Sequence, residues 1–67
     1  MNTYIITVED ADGKRALETV SGDYFSATDA FREHVGLSRY CALNAVIRLE
    51  RDGRILAEFD KAKELNR

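Results

Sequence analysis

Residues 43–60 decide the fold: Leu43-Asn-Ala-Val-Ile-Arg-Leu-Glu-Arg51, then Asp52-Gly53, then Arg54-Ile-Leu-Ala-Glu-Phe-Asp60. Leu43, Ala45, Ile47 and Leu49 alternate with Asn44, Val46, Arg48 and Glu50. That period of two belongs to a strand with one buried face. Asp-Gly supplies the positive φ angles of a two-residue hairpin turn. Past it, Ile55, Ala57 and Phe59 alternate with Arg54, Leu56, Glu58 and Asp60. The stretch therefore reads as a β-hairpin with strands 43–51 and 54–60, and residues 61–67 add a helical turn or a tail.

Working towards the N-terminus, Ser38-Arg39-Tyr40 reads as a connecting loop, preceded by a helix. Ser26 is the expected N-cap, with Asp29 three positions on and Phe25 placed as a hydrophobic staple. Ala27, Ala30, Phe31 and His34 follow a 3/4 spacing and share one face. Gly36 is the expected left-handed stop, with Leu37 folding back on Phe31. Further upstream, Thr3–Glu9 is rich in β-branched and aromatic residues and reads as a strand. Asp10-Ala-Asp-Gly13 is a turn, Arg15–Val20 a second strand, and Ser21-Gly22-Asp23 a break.

The order is ββαββ, an α+β domain with an antiparallel sheet and one helix on one of its faces. With 67 residues it is a single domain. Its other face is left to solvent or a partner, with Ile5, Thr7, Val46, Arg48, Leu56 and Glu58 expected there.

Composition narrows the function classes. One cysteine excludes an internal disulfide, and small secreted domains usually depend on several. No leader pattern and no apolar run of membrane-spanning length is present. The expectation is a protein of a reducing, cytoplasmic compartment. Residues 1–31 carry two basic against six acidic side chains, and residues 32–67 carry eight against six. Cys41 and His34 alone cannot make a zinc site, and Asp10-Ala-Asp12-Gly13 lacks the further ligands of a calcium loop. No third group orients a Cys41–His34 pair for catalysis. No glycine-rich phosphate loop occurs. The expectation is a binding protein and not an enzyme, without metal or cofactor.

Arg32, Arg39, Arg48, Arg51 and Arg54 are interleaved with His34 and Tyr40. Arginine forks grip phosphates or carboxylates, and Tyr40 offers a stacking face. With Ile5 of the exposed sheet face, Arg32, Arg39, Tyr40, Arg48, Arg51 and Arg54 are the candidate partner-binding residues. A plainer reading pairs these arginines with Glu33, Glu50, Asp52 and Glu58.

Tyr4-Ile5-Ile6, the alanine-spaced helix at Ala27 and Ala30, Val46-Ile47-Arg48-Leu49-Glu50, Gly53 and Ile55-Leu56-Ala57 form a pattern. Taken together it resembles the small type I anti-CRISPR proteins of phages and mobile elements. The resemblance implies a stoichiometric inhibitor in an infected or host bacterium. Such a protein docks on the backbone subunits of an RNA-guided Cas surveillance complex and obstructs pairing of guide RNA with target DNA. In that family basic residues near the helix make the contact, a role that falls here to Arg32 and Arg39, whereas Asp29 and Glu33 are acidic. An acidic inhibitor mimics DNA instead, through Glu9, Asp10, Asp12, Glu18 and Asp23. Two other expectations stand beside this one: a small nucleic-acid-binding or regulatory module, and a homodimer formed through the exposed sheet face.

Overall fold

The computed structural model describes residues 2–65. Strands β1 (Asn2–Asp10) and β2 (Gly13–Gly22) lead into helix α1 (Tyr24–Gly36). A 3₁₀ turn (Ser38–Tyr40), strands β3 (Val46–Arg51) and β4 (Arg54–Asp60) and the short helix α2 (Lys61–Leu65) follow. The four strands form one sheet in the order β2-β1-β3-β4, with every neighbouring pair antiparallel. The expected ββαββ fold, with one helix on one face, is the fold observed.

The apolar alternation places the core. Tyr4, Ile6 and Val8 of β1 and Ile47 and Leu49 of β3 are buried beneath Ala27 and Phe31 of α1. Each fully buried aliphatic side chain there contributes about 1.5–3 kcal/mol. β1 and β3, which supply the buried strand side chains, take the centre of the sheet, because only central strands can be shielded along their length. Both hairpin turns follow their sequence chemistry. The Asp10 carboxylate accepts the Asp12 N–H at 2.9 Å. Asp52 and Gly53 adopt φ of 52° and 79°, as a primed two-residue turn requires.

Five local expectations are corrected. The N-cap of α1 is Asp23 and not Ser26, because Oδ1 of Asp23 accepts the Ser26 N–H at 2.8 Å. Gly22, at φ 139°, turns the chain straight from β2 into the helix, so the first suitable acceptor caps it. Phe25 is left exposed on the first turn instead of stapling it. Gly36 keeps ordinary helical geometry. The Leu37 N–H then bonds the carbonyls of Glu33 and His34, and the chain runs on into the 3₁₀ turn.

β3 starts at Val46 because Ala42–Ala45 closes a turn first, and this leaves Leu43 facing solvent. Ile55 does not join Ala57 and Phe59. The pairing steps from Leu49–Ala57 to Glu50–Ile55, so Leu56 is an extra, unpaired residue and Ile55 falls on the side of Glu50. A second such bulge lies in β2, where Leu17 is the extra residue between Thr7–Ala16 and Ile6–Glu18. Each edge strand therefore carries one bulge, a common way of blunting a sheet edge.

Candidate functional site

The sheet face away from α1 is tiled by its own side chains. Thr7 Oγ1 donates to Glu50 at 2.8 Å, and Lys14 Nζ reaches the same carboxylate at 2.8 Å. Arg48 bridges Glu9 at 2.7 Å and Glu58 at 2.8 Å. The ladder joins all four strands, and it buries Thr7 to 6% exposure on a face expected to be open. The Glu9 and Glu58 carboxylates raise the Arg48 pKa. The hydrogen bond from Lys14, then that from Thr7, holds Glu50 below the usual carboxylate range. Solvated pairs of this kind contribute at most about 1 kcal/mol each. Their consequence for function is that Arg48 meets any partner already neutralised.

At the β3–β4 tip, Arg51 donates to Asn2 Oδ1 at 2.8 Å, and its guanidinium lies 5.7 Å from the Tyr4 ring centre. Arg51, Asp52, Arg54 and Leu56 border an open recess of about 540 Å³. Ile5 and Ile55 flank Glu50 in the register beside it, and both are exposed.

The third region is the connection from α1 to β3. Leu37 is 51% exposed, Tyr40 76% and Leu43 71%, although all are large and apolar. The Arg39 guanidinium lies 5.0 Å from the Tyr40 ring centre. The backbone that displays them is pinned from below. Lys61 is 8% exposed, and its Nζ donates to the carbonyls of Ser38 at 2.7 Å and Cys41 at 2.8 Å. The Lys61 N–H also bonds the Ala45 carbonyl. The Cys41 carbonyl lies at the C-terminal end of the 3₁₀ turn, where partial negative charge favours a cation. The result is a run of exposed apolar side chains on a held backbone, which lowers the entropy cost of presenting them to a partner.

The seven candidate residues do not come together. Arg51 and Arg54 sit at the hairpin tip, whereas Arg39 and Tyr40 sit before the opposite end of β3. Ile5 and Arg48 lie on the face away from the helix, and Arg32 is on an exposed side of α1. The contiguity seen in sequence is spread by the strand length of β3. The plainer reading holds for Arg48 and Arg51, which have acceptors within the chain, while Arg32 and Arg54 have none among the described residues.

His34 Nε2 lies 2.9 Å from Glu18, and Cys41 is half-buried with its carbonyl on Lys61. Among the described residues, no group of three or more His, Cys, Asp or Glu is placed to hold a metal ion. No described helix is long and apolar enough to cross a membrane. Sequence reasoning missed Leu37 and Leu43 because it assigned one to a helix end and the other to a buried strand face. The spacing Leu37, Tyr40, Leu43 around a polar Ser38-Arg39 was the available signal. Compared with protein families, curated proteins and solved structures, the chain matches none of them.

Proposed function

We propose that this chain is a binding protein without a catalytic step of its own, and that it docks on a protein partner through residues 37–43. One observation carries the reading: Leu37, Tyr40 and Leu43 stand out into solvent on a backbone clamped by a buried lysine. Tyrosine and arginine are the residue types that most often dominate binding energy at interfaces, and Tyr40 and Arg39 are stacked together here. The partner class is supported by the resemblance to type I anti-CRISPR proteins. On that reading the chain occupies a Cas surveillance complex and prevents it from engaging target DNA.

The nucleic-acid reading is weaker. Arg48 and Arg51 already serve acceptors within the chain, which removes two of the five clustered arginines from easy phosphate contact.

Purified protein titrated against purified type I surveillance complexes tests the proposal. The expected result is saturable binding that lowers target-DNA affinity, with Tyr40→Ala weakening it by at least about tenfold. Absence of binding to every such complex removes the proposed partner, and full binding by Tyr40→Ala removes the proposed surface. A gel shift with DNA or RNA that weakens steeply as salt rises favours the alternative.

A further inference from the structure

The outward edge of β2 has no strand beside it among the described residues, and its bulge constrains what can pair there. Arg15 lies opposite Val8, Glu18 opposite Ile6 and Val20 opposite Tyr4, so these three residues share the helix side of the sheet. Lys14 lies opposite Glu9, Ala16 opposite Thr7 and Thr19 opposite Ile5, so these share the other side. Odd and even positions exchange sides at Leu17. A straight foreign strand laid along this edge matches sides on one half of β2 only, because side chains alternate with a strict period of two.

An antiparallel copy of β2 carries the same exchange at the same place. With Arg15 opposite Glu18 of the copy, Lys14 meets Thr19 and Gly13 meets Val20, and each pair keeps to one side on both halves of the strand. We propose that β2 pairs with β2 of a second copy about a two-fold axis between Ala16 and Leu17, joining the sheets into one of eight strands.

Charge supports that register. Arg15 faces Glu18 of the copy, and by symmetry Glu18 faces Arg15. Both side chains are about half exposed. Arg15 gives Nη1 and Nη2 to Asp10, which leaves its Nε–H for the copy. Glu18 uses Oε1 on His34, which leaves Oε2. The same charges and bulge that discourage a foreign strand become complementary in this one arrangement. A single strand per copy buries less than the roughly 800 Å² per partner of a standard interface, so the dimer is a weak one. It is independent of the partner surface at residues 37–43, which belongs to a different part of the chain.

Sedimentation of the wild-type protein, R15E, E18R and the double reversal R15E/E18R up to about 1 mM, where weak interfaces associate, tests the register. The wild type is expected to approach twice the monomer mass. Each single reversal, which sets like charges opposite each other twice, is expected to weaken association by about tenfold or more. The double reversal restores opposite pairs and is expected to recover wild-type association to within about threefold. Both positions altered are exposed, and circular dichroism checks that each variant is folded. A wild type that stays monomeric overturns the proposal, as does a double reversal no stronger than the singles. Hydrogen exchange gives a second readout: protection of the β2 amides must rise with protein concentration, and constant protection overturns the pairing.

Discussion

Removing the Lys61 ammonium should destabilise this domain more than removing any other charged group. The side chain is 8% exposed and its two hydrogen bonds, at 2.7 and 2.8 Å, end on the Ser38 and Cys41 carbonyls. A hydrogen bond to a charged group contributes about 1.5–3 kcal/mol net, and an orphaned buried carbonyl costs about 1–3 kcal/mol. Returning the ammonium to water refunds part of its desolvation. For Lys61→Ala the balance comes to a loss of about 2–4 kcal/mol. In a domain of this size 1 kcal/mol moves Tm by about 4–8 °C, so the midpoint should fall by about 8–32 °C.

The assay is urea unfolding, in which the midpoint falls at constant slope if only the native state is affected. Lys61→Met keeps the aliphatic stem and removes the donors, so it isolates the hydrogen bonds from the packing. Lys63→Ala, at an exposed position on the same helix, serves as the control and should change stability by under about 0.5 kcal/mol. The reasoning is refuted if Lys61→Met is as stable as the wild type to within about 0.5 kcal/mol, because the ammonium would then clamp nothing that its stem does not. If the clamp is real, Lys61→Met should also speed hydrogen exchange at the Tyr40 and Cys41 amides, whose bonds close the 3₁₀ turn.

Three further outcomes are expected. Leu49→Ala, at a side chain with 0% exposure between β1 and β4, should cost about 2–5 kcal/mol in urea unfolding, a large share of the stability of so small a domain. Gly53→Val should cost about 1–2 kcal/mol through backbone strain alone, because φ is +79° and no atom lies within 4 Å of an added Cβ; a neutral thermal melt would contradict this. Acid should weaken the fold. Asp10 is lowered first by the Arg15 hydrogen bonds, Asp23 by the Ser26 N–H and Glu50 by Lys14. Their stabilisation is therefore full above about pH 4.5 and is lost as pH falls through the lowered folded values, and a circular-dichroism melt series from neutral to acid pH checks this.

Patterns decided by neighbouring residues were legible in the sequence. The Asp52-Gly53 hairpin, the alternation of Tyr4, Ile6 and Val8 and of Ile47 and Leu49, and the Ala27–Phe31 helix face all require only local chemistry and a period. What failed was the phase of that period near strand edges and ends. Ile55 was expected in the core with Ala57 and Phe59, and the bulge at Leu56 turned it to the opposite face. Ser26 was expected to cap α1, but Asp23 is as good an acceptor and the chain reached it first. The candidate site suffered most. Five arginines close in sequence were read as one cluster, and β3 carried Arg51 and Arg54 to one end of the sheet while Arg39 stayed at the other.

By itself the sequence determined a single small α+β domain, its two hairpins, the helix between them and most of the buried residues. Those features follow from φ preferences and from which side chains must leave water, and both are properties of short segments. Only the tertiary structure decided that β1 and β3 lie at the centre of the sheet, that Arg48 is spent on Glu9 and Glu58, and that Lys61 is buried. A lysine leaves water only where two carbonyls distant in the chain wait for it, 20 and 23 positions away here, and no local pattern encodes that meeting. The same holds for Leu37, Tyr40 and Leu43, which are exposed because the clamp beneath them gives the loop a shape that leaves them outside the core.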